Sequence, residues 1–264
     1  MADPDPDLLS RGGVRLAVEG AVATVTLDRP EVRNAQTRAT WDALAAIGAG
    51  LPDEVRVVVL RGAGPSFSAG LDLRLVDGRG VEGEDDVPML MTRPDAEIED
   101  WIAGCQAGFT WLRDPRFVSI AVLQGHAYGA GFQLALACDH RIATPDVRLC
   151  MKEAALGLVP DLTGTKPLVE LVGYSRALDI VATARVVEAD EALATGIVNR
   201  VADPADVDTV LAEVVAAFTA PAAGAVRGCK QLLLTAADND LATQRSVERQ
   251  VQVTRFRDLA RQRD

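Results

Sequence analysis

The run VSIAVLQGHAYGAGFQLALACD, residues 118–139, decides how the chain is read. Val118 to Leu123 is almost continuously apolar, as in a strand covered on both faces. Small residues follow from Gly125 to Gly131, and the segment then turns helical. An earlier run, VRVVVLRGAGPSFSAGLDL, residues 55–73, repeats the plan: a β-branched strand, a loop of small residues, and the opening of a helix. Two such passes predict an α/β architecture. Small residues let a ligand approach the backbone, and first-turn N–H groups have no intrahelical partner. Two such donors converging on one oxygen stabilise negative charge developing there. The alternative is a pair of independent tight turns.

Other motif readings fail on spacing. Gly129-Ala130-Gly131 does not complete a GxGxxG, no Walker A is present, and Ser66 and Ser68 lack the G-x-S-x-G elbow of a serine hydrolase.

Outward from these runs, VRLAVEG and AVATVTLD predict a hairpin turning at Glu19-Gly20, and Thr37 to Leu51 a helix with Trp41, Leu44 and Ile47 on one face. Gly78 to Pro94, rich in Gly, Asp and Glu, reads as a mobile segment over a site. A long helix is expected over Asp95–Leu112, and strands at HRIAT and VRLC. Helical segments then run over Thr163–Ala184, broken at Gly173, and over Glu188–Ala194, with a strand at IVNRVA. After Pro204 the pattern is helical throughout. We therefore expect an α/β core over residues 1–203 and a helical region over 204–264.

Composition narrows the function classes. The 264 residues carry 27 basic and 38 acidic side chains, a net charge of −11, which disfavours nucleic-acid or anionic-membrane partners. No apolar run approaches the ~20 residues of a membrane span, and the acidic, Pro-broken start does not read as a signal peptide, so a cytoplasmic protein is expected. The four cysteines (105, 138, 150 and 229) form no metal-binding pattern, and two histidines (126 and 140) make a His-based triad or metal site improbable. No metal and no separate cofactor are expected.

The sequence resembles the enoyl-CoA hydratase/isomerase (crotonase) superfamily. LDRPEVRNA (27–35), SFSAGLDL (66–73), IAVLQGHAYGAGFQLALACD (120–139), KEAALGLVPDLTGTKPLVELVG (152–173) and ARVVEADEALATGIVNRV carry the resemblance across most of the chain. It implies a crotonase-like spiral of repeated ββα units with a C-terminal helical region that builds homotrimers, often paired into hexamers. It implies acyl-CoA substrates, with coenzyme A as part of the substrate. By position, the thioester carbonyl would accept from the N–H groups of Leu71 and Ala130. Arg33, Ala35, Ser68, Ala69, Gly70, Asp72, Arg74 and Gly129 lie in the segments that would contact the substrate, with Arg33 and Arg74 placed to meet phosphates or else to be solvated surface residues.

The acidic positions depart from the hydratase pattern. Of the two catalytic glutamates of the hydratases, the second is kept as Glu153, while the first is Gln133, an amide that neither gives nor takes a proton at neutral pH. A third position, usually Gly, is Asp161; members that shift double bonds in dienoyl-CoA carry an Asp there, and so does a dehalogenating branch. The plainer alternatives are a helix N-cap for Asp161, a surface ion pair for Glu153 and an exposed helix residue for Gln133. Three functions follow: an isomerase using Glu153 and Asp161, a hydratase with Glu153 as acid/base and Gln133 holding water, and a non-catalytic acyl-CoA binder. The family's CoA-reaching terminus has no counterpart at Arg261 to Asp264, and the acyl pocket walls are expected from Val87–Met91 and the helix near Trp101.

Overall fold

A computed structural model describes residues 4–261, so the final Gln262 to Asp264 lie outside it. Asp5 accepts a hydrogen bond from the Asp7 N–H at 3.0 Å and starts α1 (Pro6–Gly12). The predicted hairpin forms from β1 (Val14–Glu19) and β2 (Val22–Leu27), with Glu19 opposite Val22 and Gly20 at φ +58° in the turn. Helix α2 (Arg38–Gly50) buries Trp41, Leu44 and Ile47 at the predicted spacing. Strand β3 (Val57–Gly62) follows, then α3 (Val87–Leu90), α4 (Asp95–Thr110), β4 (Val118–Leu123), β5 (His126–Tyr128) and α5 (Ala130–Ala137). The chain continues through β6 (His140–Ala143), β7 (Arg148–Cys150), α6 (Thr165–Val172), α7 (Tyr174–Thr183), β8 (Val187–Glu188), α8 (Ala189–Ala194) and β9 (Arg200–Val201). The last three helices are α9 (Val207–Thr219), α10 (Ala223–Ala236) and α11 (Leu241–Arg261).

The larger sheet has the order β1-β2-β3-β4-β6-β9, and from β2 onward its neighbours run parallel. A second sheet, β5-β7-β8, is built from strands that lie between β4 and β9 in sequence. Alternation along β3 and β4 explains their near-continuous apolar runs. Val58, Leu60, Ala121 and Leu123 face a core shared with α2, α4 and α5. Val57, Val59, Val118, Ile120 and Val122 face a second core closed by Val207 and Val214 of α9. Both faces are thus covered, as a parallel sheet requires.

Two local expectations are corrected. The first small-residue loop opens into a single 3-10 turn, Leu73–Leu75, rather than a helix. The second contains a strand, β5, because Tyr128 and Ala127 pair with β7. Within the segment after Gly78 a short helix, α3, forms; it buries Leu90 but leaves Met89 and Met91 half to three-quarters exposed.

Candidate active site

The site is assembled from four chain segments, and the first two are laced together by backbone. Ala69 N–H donates to Arg33 O, Gln36 N–H to Gly70 O, and Asp72 N–H to Gln36 O, so residues 33–36 run beside 69–72. Asn34, in a left-handed conformation at φ 53°, locks this corner: its Nδ2 donates to Ala63 O, Ser66 O and Phe67 O. Asn tolerates that conformation better than most residues. Asn34 and Gln36 went unnoticed in the sequence, although an Asn after a Pro-led turn was the available signal. Ser68 is fully buried; its hydroxyl donates to Asn34 O and accepts from Gln36 Nε2 and Gly70 N–H. Its side chain therefore braces the loop and has no oxygen left for a ligand. Ala35 is likewise buried, with its carbonyl accepting from Arg29 at 2.8 Å.

The second loop docks on the first. Ser68 and Ala127 form a β-bridge, with Ser68 N–H donating to His126 O and Tyr128 N–H to Ser68 O. Gly70, at φ +88°, lies so close that a Cβ there would sit 2.4 Å from Tyr128 O and 3.4 Å from the Ala130 N. Gly129, at φ +49°, precedes α5 and leaves Ala130 at the first helical position. The N–H groups of Leu71 and Ala130 donate to no acceptor among the described residues, and both border this junction.

Asp72 is buried and accepts from the Arg74 side chain at 2.9 and 2.7 Å and from Arg29 at 3.4 Å. These bonds, Arg74 first, hold its carboxyl below the usual carboxylate range. Asp72 thus positions Arg74, whose side chain stays 40% exposed. Arg33 is exposed.

The third and fourth segments bring the acids. Gly129 N–H donates to Cys150 O, placing the end of β7 beside α5. Glu153 follows in a 3-10 turn, and a Cβ on Gly129 would meet its Oε1 at 3.4 Å. Glu153 forms no ion pair among the described residues, against the surface-pair alternative. Its Oε1 accepts from Gln133 Nε2 at 2.7 Å, and its Oε2 is buried without a partner. Burial pushes the Glu153 carboxyl up; the Gln133 bond pulls it down, and the nearby Asp161 charge raises it. Burial also pushes Asp161 up. Asp161 caps no helix, since α6 begins at Thr165 with Gly164 before it. Its backbone carbonyl is instead tied to Gln106 Nε2 of α4 at 2.7 Å.

Gln133 is 1% exposed, so it is no surface residue. Its Oε1 accepts from the N–H groups of Leu162 and Gly164 at 2.9 and 3.2 Å. Its carbonyl is therefore occupied, and of the two amide hydrogens one goes to Glu153. All the sequence-predicted site residues thus fall in one contiguous region. Among the described residues no cluster of three His, Cys, Asp or Glu side chains could hold a metal ion.

Residues 17–263 match the enoyl-CoA hydratase/isomerase family. The chain belongs to that family. It is 34% identical over 228 residues to a carnitinyl-CoA dehydratase of Salmonella arizonae, covering 85% of this chain and 81% of the relative. A short-chain-enoyl-CoA hydratase of Clostridium acetobutylicum is 32% identical, with 87% and 84% covered. Among solved structures, a Thermobifida fusca protein provisionally described as an enoyl-CoA hydratase, in complex with acetoacetyl-CoA, superposes with a TM-score of 0.92 at 47% identity over 97% of this chain and 100% of that one. The crotonase fold and an enzyme of the hydratase/isomerase family acting on acyl-CoA follow from these likenesses.

Proposed function

We propose that the protein moves a double bond along an acyl-CoA chain, as a dienoyl-CoA isomerase does, with Glu153 and Asp161 as its two proton carriers. The observation that carries this reading is the Glu153–Asp161 arrangement: two carboxyls with raised affinity for protons, close enough for one to raise the other, and neither consumed by an ion pair or a cap. Isomerisation takes a proton from one carbon and returns one at another, so two protonatable groups along the chain suffice. Backbone donors at Leu71 and Ala130 would receive the thioester oxygen as it gains enolate character. Arg33 and Arg74 would supply positive charge to the CoA phosphates. Coenzyme A enters as part of the substrate, with no separate cofactor. Four free cysteines, three of them buried, suit a reducing, cytoplasmic setting. No single helix among the described residues is long and apolar enough to cross a membrane.

The test is direct. Incubation with a 3,5-dienoyl-CoA should give the conjugated 2,4-dienoyl-CoA, followed by ultraviolet absorbance. Asp161→Asn should remove this turnover while acyl-CoA binding stays near wild type. A second reading, hydration or dehydration at Glu153, draws support from relatives named hydratase and dehydratase. Efficient hydration of crotonyl-CoA that survives Asp161→Asn would favour it and sink the isomerase reading.

A further inference from the structure

We propose that Gln133 is a positioning residue: its amide orients the Glu153 carboxyl so that Oε2 is the oxygen that exchanges a proton with the substrate. The proposal rests on Glu153 being the proton-transferring group of the preceding section.

The orientation of the amide is fixed by its surroundings. Two backbone N–H groups, of Leu162 and Gly164, point at one end of the Gln133 side chain at 2.9 and 3.2 Å. Only an acceptor satisfies two donors, so that end is Oε1 and the NH₂ end must face Glu153 Oε1, 2.7 Å away. An amide N–H donates and cannot accept. Glu153 Oε1 therefore stays unprotonated in both states of the carboxyl, and any proton it carries lies on Oε2. That oxygen is buried and has no hydrogen-bond partner among the described residues. An unpaired buried oxygen costs free energy, which a substrate proton can relieve.

The same amide braces the loop bearing Asp161. Thr163 sits between the two donor residues at φ +70°, a strained backbone for a β-branched residue. Gly164 approaches so closely that a Cβ there would lie 2.6 Å from Gln133 Cγ. Strain of this kind persists only where the surroundings over-determine it. Gln133 supplies that constraint from one side, and Gln106, holding Asp161 O, supplies it from the other. One side chain thus sets the Glu153 carboxyl and the Asp161 loop in a common frame. A glutamate in its place could keep the two backbone bonds but would set an oxygen against an oxygen at Glu153.

The experiment is a pH titration of the Glu153 carboxyl by carbon-13 NMR on protein labelled at glutamate, with the resonance assigned by its loss in Glu153→Gln. It compares wild type, Gln133→Met and Gln133→Glu. Gln133→Met removes the donor without adding charge; Gln133→Glu keeps the acceptor for Leu162 and Gly164. Losing the amide donor should move the Glu153 midpoint to higher pH in both variants, furthest in Gln133→Glu. Turnover of a 3,5-dienoyl-CoA should fall about 10- to 100-fold through kcat, with KM little changed. A folded Gln133→Met with an unmoved midpoint overturns the proposal. If that variant does not fold, an unmoved midpoint in Gln133→Glu overturns it instead. A shifted midpoint in a protein that turns over no dienoyl-CoA supports the positioning role and sinks the isomerase reading alone.

Discussion

At the scale of single residues, the site is held at a cost in stability. Burial raises the proton affinity of Glu153 and Asp161 above that of an exposed carboxyl. For such a group the folded state binds the proton more tightly than the unfolded chain. The stability these two groups contribute is therefore fullest below the ordinary carboxylate range and is lost as pH rises through the raised values. Removing the charge should then help the fold. We expect Glu153→Gln and Asp161→Asn to melt at or above wild type near neutral pH, where each kcal/mol is worth about 2–4 °C in a chain of this size. The advantage should shrink on acidification, and both variants should be inactive. Thermal melts across pH, read beside turnover, check the sign; a wild type more stable than both variants at neutral pH would contradict it. Gly70 gives the opposite case. Its φ of +88° and the 2.4 Å approach of a would-be Cβ to Tyr128 O leave no room for alanine. Gly70→Ala should push the two loops apart, lower the melting temperature and weaken acyl-CoA binding, measurable by calorimetry.

At the scale of elements, the sequence announced the long pieces and hid the short ones. Apolar runs marked β3 and β4, and the one-faced spacing of Trp41, Leu44 and Ile47 marked α2, because burial imposes those periods locally. β5 is three residues long inside a run of small ones, and only its pairing with β7 defines it. The motifs located Glu153, Asp161 and Gln133. They could not say that Gln133 is buried against Glu153, since the two are 20 residues apart and meet only in the folded chain. The C-terminal helices show the same dependence on distant partners. Lys230 of α10 is 8% exposed and donates to Leu112 O, Phe117 O and Asp139 Oδ2 at 3.3, 2.8 and 2.7 Å. Asp139 in turn accepts from the Ser119 N–H at 2.8 Å at the start of β4. This network pins α10 to the sheet. Lys230→Met removes the cation paired with Asp139 and one donor to two carbonyls, and should destabilise by about 3 kcal/mol. Chemical denaturation would measure it, and a change within experimental error would show that α10 is held by its apolar contacts alone.

At the scale of the whole molecule, the last helix is unfinished business for a lone chain. Val247 and Val251 are half-buried, and Val251 lies against Gly228 of α10, where a Cβ would meet it at 3.0 Å. That contact uses one face of α11. Val253, Phe256 and Leu259, spaced three apart and so on one stripe, stay 46, 62 and 47% exposed, and Leu233 of α10 is 75% exposed. Scattered exposed apolar residues need no explanation, but a stripe along a helix that contributes no buried residue asks for a covering surface. A second copy of the chain is the covering surface we expect, because α11 buries no residue within the chain and its apolar stripe stays exposed. The prediction is a homotrimer or a pair of trimers in solution. Light scattering should return three or six chain masses at micromolar concentration. Phe256→Glu combined with Leu259→Glu places two charges in the stripe without touching Val247 or Val251, and should dissociate the assembly while the helical content stays the same. A wild type that scatters as a single chain would show that the stripe is left bare, and the oligomeric expectation would fall with it.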